Sequence, residues 1–97
     1  MGTSENGAER ESTFQIVNRL GLHARAAAAL VKTANRYQSD VLICKDGDEV
    51  NGKSIMGVLM LAAAKGSEIR VVARGPDAEA CLSALGTLIA DKFGEGE

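Results

Sequence analysis

The stretch "LGLHARAAAALV", Leu20 to Val31, holds the only histidine of the chain. His23 follows Gly21 by two residues and precedes an alanine-rich run, with Arg25 two positions on. Imidazole is substantially neutral near pH 7, and the neutral ring is a nucleophile. The glycine supports a turn and the alanines favour a helix from about Ala24. A helix start presents unpaired N–H groups and a partial positive charge, which welcome an anion. Arg25 adds a fixed cation with a fork that matches phosphate oxygens. A phosphoryl group on a ring nitrogen would therefore lie over the amide donors, and the local chemistry suits a covalent phosphohistidine better than a metal or a simple acid–base role. The small side chains of Ala26 to Ala29 leave the first turn open to another protein. By residue type alone, a plain cap or surface histidine is the competing reading, and it stays open at this point.

A second group lies in "NGKSIMGVLMLAAAKGS". Ser54 is placed to cap a short helix, with Gly66 as its stop. Ile55, Val58 and Leu59 share a face suited to the core, while Met56 and Met60 lie on another. Flexible methionines suit a surface that repacks against several partners, and Lys53 is placed to meet an acidic one. A phosphate on Ser54 would add about −2 charge at a helix start, which the helix tolerates, so its effect would fall on docking. Residues Gly47 to Ser54 formally match the nucleotide-binding pattern G-x-x-x-x-G-K-S. They overlie an expected hairpin rather than a buried strand leading into a long helix, so nucleotide binding is not expected.

The elements that position these residues follow from pattern. Residues 1–12 are rich in Gly, Ser, Glu and Asn and read as a disordered lead-in, leaving one domain over 13–97. Thr13–Arg19 reads as a strand with Phe14 and Ile16 on one face. Ala24–Tyr37 carries Ala27, Leu30, Val31 and Ala34 at helical spacing. Asp40–Asp46 reads as a strand, Asp46-Gly47 as a hairpin turn, Glu49–Asn51 as its return, and Glu68–Arg74 as a fourth strand. The last helix starts at Pro76, with Asp77 and Glu79 at its positive end and an apolar stripe from Ala78 to Ile89, and Gly94 stops it. The order is βαββαβα, an α+β fold of two layers with helices on one side of a sheet.

Composition narrows the function classes. The 97 residues carry a net charge of −2, three aromatics and no tryptophan, which argues against nucleic acid as a partner. Cys44 and Cys81 sit in apolar patterns and read as buried free thiols of a reducing cytoplasm. One histidine with two distant cysteines makes a poor metal set. No apolar run reaches transmembrane length, and the N-terminus has no signal-peptide core.

"LGLHARAAAALV" resembles the active-site segment of HPr, the histidine phosphocarrier family of the bacterial phosphoenolpyruvate-dependent sugar phosphotransferase system. "NGKSIMGVLMLAAAKGSEI" resembles that family's second signature, and the ending "GPDAEACLSALGTLI" also agrees. The resemblance covers roughly Thr13 to Phe93. It implies an open-faced β-sandwich, a four-stranded antiparallel sheet with three helices on one face. It makes His23 the residue phosphorylated on its δ nitrogen, accepting from enzyme I and donating to sugar-specific IIA components, with Arg25 helping to hold the phosphoryl group. Ser54 matches the serine modified by an HPr kinase/phosphorylase, and Lys53, Met56 and Met60 fall on the implied docking face. No cofactor is implied, and the protein is expected to work as a cytoplasmic monomer in a relay rather than as a turnover enzyme. The family usually has proline where Ala26 stands; alanine restores an N–H to the first turn. A regulatory interaction module on the same fold is the alternative expectation.

Overall fold

The structure, a computed structural model, describes residues 8–96. Four strands, β1 (Glu9–Gln15), β2 (Asp40–Lys45), β3 (Asp48–Asn51) and β4 (Glu68–Arg74), form one sheet in the order β1-β4-β2-β3. Every neighbouring pair is antiparallel. Helices α1 (Ala24–Ala34), α2 (Ile55–Met60) and α3 (Ala78–Ala90) complete the βαββαβα order. The alternation of β2 and β4 sends Val41, Ile43, Ile69, Val71 and Ala73 into a buried core. There they meet Ala26, Ala27, Leu30, Val31 and Ala34 of α1 and Ala78, Cys81, Leu82, Leu85 and Ile89 of α3. Burying an aliphatic side chain of this size stabilises by about 1.5–3 kcal/mol. The expected helical stripes are therefore the faces that pack.

The opposite face of the sheet is uncovered by helices. Leu42 pairs with Val72 there, Glu9 opposes Arg74, and Cys44 opposes Arg70. Ion pairs cross this face from Arg74 to Glu9, at 2.6 Å, and from Arg70 to Glu11, at 3.3 Å. They explain why β1 begins at Glu9, inside the stretch 1–12 expected to be disordered. The residues are polar, but they join an edge strand whose side chains find cations on β4 and whose backbone completes the ladder. Ala8 continues this pairing by accepting from Gly75 N–H at 2.8 Å. Residues 1–7 of the expected lead-in lie outside the described residues. Cys44 and Cys81 are both buried free thiols, and burial raises the pKa of each.

Further boundaries differ from expectation: β1 ends at Gln15 rather than Arg19, and α1 at Ala34 rather than Tyr37. Helix α2 ends at Met60 rather than near Gly66, with Ala62 in the left-handed region at φ 50°. Beyond it the backbone serves other elements. Ala63 C=O accepts from Leu22 N–H at 2.9 Å, Gly66 N–H donates to Ile16 C=O at 2.7 Å, and Ile16 N–H donates to Ser67 C=O at 2.8 Å. These bonds to another part of the chain compete with continuing the helix and prevail. The Gly47–Ser54 stretch is the second strand of a hairpin followed by a cap, as its hairpin reading requires. The turn before it is left-handed at both Asp46 and Gly47, the geometry that suits the strand twist.

Helix α3 begins at Ala78, one turn-residue pair after Pro76, and Asp77 is its N-cap without a side-chain capping bond. The Asp77 carboxylate instead accepts from Gln38 N–H and Ser39 N–H, each at 2.9 Å, and from the Ser39 hydroxyl at 2.5 Å. It thus ties the α1–β2 connection to the start of α3. The Ser39 hydroxyl bond, followed by the Gln38 backbone bond, holds the Asp77 carboxyl below its ordinary range. A carboxyl depressed in the folded state stabilises fully above its unfolded pKa, and that stability is lost as pH falls through the folded pKa. Asp77→Asn is therefore expected to melt below the wild type near pH 7, with the gap closing as pH is lowered through the carboxylate range. Thermal melts across that range check it; a gap independent of pH would contradict it.

Candidate functional site

The connection from β1 to α1 is built from its own polar groups. The Asn18 side-chain amide donates to Gly21 C=O at 2.9 Å, and Gly21 N–H donates to Asn18 C=O at 3.2 Å. Gly21 turns the chain with φ 68°. Leu22 then enters the core, and His23 follows as the N-cap of α1 in an extended conformation. The first helical bond runs from Ala27 N–H to His23 C=O at 2.8 Å. The expectation that the single histidine stands at a helix mouth holds in the structure.

The two ring nitrogens of His23 face different surroundings. Nδ1 accepts from Arg25 N–H at 3.4 Å, so it points at the first turn of α1. Nε2 lies 2.5 Å from Glu95 Oε2. These partners assign the proton to Nε2, where a carboxylate receives it, and the lone pair to Nδ1. The His23 side chain is 30% exposed and that of Glu95 only 10%. Glu95 Oε1 accepts from Asn18 Nδ2 at 2.9 Å. The Asn18 bond above all, with the His23 bond and the charge of Arg25 behind it, holds the Glu95 carboxyl below its usual range, against the opposing effect of burial.

Arg19, Leu20, His23, Ala24, Arg25 and Glu95 line an open cleft of about 450 Å³. Arg25 is exposed at its rim. An imidazole lone pair at a helix N-terminus, with a guanidinium alongside, is arranged to hold a small tetrahedral anion as a covalent adduct. Glu95 and Asn18 are absent from the sequence-based site. Only folding brings Glu95 to His23 across 72 positions, and no local pattern marks it.

Ser54 caps α2 as expected, its Oγ accepting from Gly57 N–H at 3.1 Å. Lys53 has an internal partner: its ammonium donates to Tyr37 C=O at 2.7 Å, so it ties β3–α2 to the end of α1 rather than standing free. Met56 and Met60 are 70% and 76% exposed, in keeping with an outward methionine pair. Ile55 is 44% exposed, so of the face expected in the core only Val58 is fully buried. Six residues of helix are too few to bury both sides of that stripe. Leu20, in the His23 cleft, is a further exposed apolar residue, at 60%. Leu22 and Gly21 pack on Ala63 just beyond α2, which joins the His23 loop to that helix end. No helix among the described residues is long and apolar enough to cross a membrane.

Residues 10–91 match the PTS-HPr family, described as the PTS HPr component phosphorylation site. The chain is 48% identical over 89 residues to the phosphocarrier protein HPr of Cupriavidus necator, covering 92% of this chain and 98% of that one. It is 43% identical over 88 residues to a multiphosphoryl transfer protein of Vibrio cholerae, of which it covers 22%. The crystal structure of HPr-C-His from Thermoanaerobacter tengcongensis superposes with a TM-score of 0.86 at 44% identity, covering 89% of this chain and 97% of that one. The relatives favour a carrier over a purely regulatory module. With the sheet, the helices and the histidine at the helix mouth in agreement, the chain belongs to the HPr family and is a phosphoryl carrier of the phosphotransferase system.

Proposed function

We propose that His23 carries the phosphoryl group on Nδ1, accepting it from phospho-enzyme I and passing it to sugar-specific IIA components. The observation behind this is the aim of the Nδ1 lone pair at the first turn of α1, 3.4 Å from Arg25 N–H. There the helix N-terminus and the Arg25 guanidinium meet the charge of the adduct. Transfer forms the Nδ1–P bond as the donor P–N bond breaks, and onward transfer reverses the roles. The protein on this reading works as a cytoplasmic monomer, its exposed Leu20, Met56 and Met60 serving brief contacts with successive partners. Incubation with enzyme I, phosphoenolpyruvate and magnesium is expected to give one acid-labile, base-stable phosphate that mass spectrometry places on His23 and that passes to a IIA domain. A label on another residue would overturn the assignment.

Ser54 is the proposed target of an HPr kinase/phosphorylase, on the strength of its position as the cap of an exposed, methionine-bearing helix. A phosphate there adds about −2 charge where partners would dock. Ser54→Asp, which keeps an N-cap, is expected to slow acceptance from phospho-enzyme I roughly tenfold while leaving the melt within about 1 kcal/mol. Wild-type acceptance rates by Ser54→Asp would contradict this role.

A further inference from the structure

The carboxylate beside His23 is more than a surface neighbour. Residues Lys92, Phe93 and Gly94 all take left-handed conformations after α3 ends, at φ 57°, 56° and 76°. Phe93 is buried in the core, and the chain turns back to deliver Glu95 to the β1–α1 loop. Two non-glycine residues in that region are uncommon and cost energy that packing must offset. Glu95 then spends each oxygen on a different partner: Oε1 takes the amide of Asn18, a fully buried residue, and Oε2 takes Nε2 of His23. Asn18 is itself fixed by its second bond, to Gly21 C=O.

We propose that Glu95 is a positioning residue for phosphoryl transfer: held by Asn18, it receives the Nε2–H of His23, keeps the Nδ1 lone pair facing the phosphoryl donor, and offsets the ring charge that appears on phosphorylation. This rests on the reading of His23 as the carrier. The proton balance requires no transfer. Nε2 keeps its proton throughout, so the ring becomes cationic when Nδ1 bonds phosphorus, and the carboxylate sits on the far side of the ring from the adduct. When the P–N bond breaks, its electron pair returns to Nδ1 and the ring is neutral again. Arg19 and Arg25 also line this cleft, and the Arg25 backbone N–H lies on the Nδ1 side of His23.

The test compares the full chain with Glu95→Gln, which keeps the shape but removes the charge and leaves one acceptor oxygen for the two donors, Asn18 Nδ2 and His23 Nε2, and with Glu95→Ala. In the wild type a short N–H···carboxylate bond predicts a strongly downfield, exchange-protected Nε2 proton in the NMR spectrum. Glu95→Gln should move it upfield and speed its exchange, and Glu95→Ala should abolish it, with the rest of the spectrum native. Acceptance from phospho-enzyme I should fall about tenfold in Glu95→Gln, the difference between a charged and a neutral acceptor. Absence of the protected proton in the wild type, or Glu95→Gln rates within twofold of wild type, overturns the positioning role. A wild-type chain that accepts no phosphate overturns the carrier reading itself, whatever the proton shows.

Discussion

Replacing His23 with Asn is expected to yield a folded protein that accepts no phosphoryl group from phospho-enzyme I. Asparagine caps a helix as well as any residue does, and the wild-type cap is a long bond of 3.4 Å. The substitution removes the contact with Glu95, a partly exposed pair whose loss from stability is modest. The expected net change in unfolding free energy is within about 1 kcal/mol. The chemical effect is of another order. The amide nitrogen has its lone pair delocalised and cannot attack phosphorus, and the sequence offers no second histidine to take its place. Loss of the nucleophile is expected to cut the transfer rate by more than about 10³-fold. Circular dichroism and a denaturant melt establish the fold, and phosphate incorporation reads the chemistry. Labelling of His23→Asn at the wild-type rate would move the site elsewhere.

That substitution rests on features visible in the primary structure, and so does much of the fold. The alternation in Glu68–Arg74 predicts β4 at its observed limits, because it is a central strand whose inward residues must be apolar. Asp46-Gly47 announces its turn, and His23 and Ser54 announce their caps, through chemistry confined to a few neighbouring residues. What stays hidden depends on remote partners. Glu9 and Glu11 read as lead-in until Arg74 and Arg70 stand across from them. Asp77 reads as a helix-dipole residue, yet its oxygens serve Gln38 and Ser39. Lys53 reads as a cation placed to meet an acidic partner, and nothing local in the sequence marks its bond to Tyr37 C=O. In the candidate site, His23 and Arg25 lie two positions apart in sequence and are legible together. Glu95 reaches them only through the packing of α3 and the turn behind Phe93.

Gly21→Ala is expected to be the most damaging single-methyl change near the site, and Gly47→Ala shows why. Both glycines have positive φ, 68° and 88°, so an added Cβ carries the left-handed penalty of about 1–2 kcal/mol in each. At Gly47 that is the whole effect, because nothing lies within 4 Å of the new atom. At Gly21 the Cβ would fall 2.4 Å from Ala63 O and 2.9 Å from Ala64 Cα. These are backbone atoms, and Ala63 O is already bonded to Leu22 N–H at 2.9 Å, so neither side can give by rotating a side chain. Overpacking of this kind adds about 1–3 kcal/mol. The sum, about 2–5 kcal/mol, is a large share of the stability of a domain this size, roughly 5–15 kcal/mol. Relief would come from lifting the 17–22 loop off the segment beyond α2, which tilts Leu22 out of the core and moves His23 relative to its own helix. Gly21→Ala should therefore lose at least about 1 kcal/mol more than Gly47→Ala in urea denaturation. It should also accept phosphate more slowly at temperatures where it remains folded, while Gly47→Ala keeps the wild-type rate. Equal losses in the two variants would mean that the loop yields freely, and the close approach of Gly21 to Ala63 would not be what sets His23 in place.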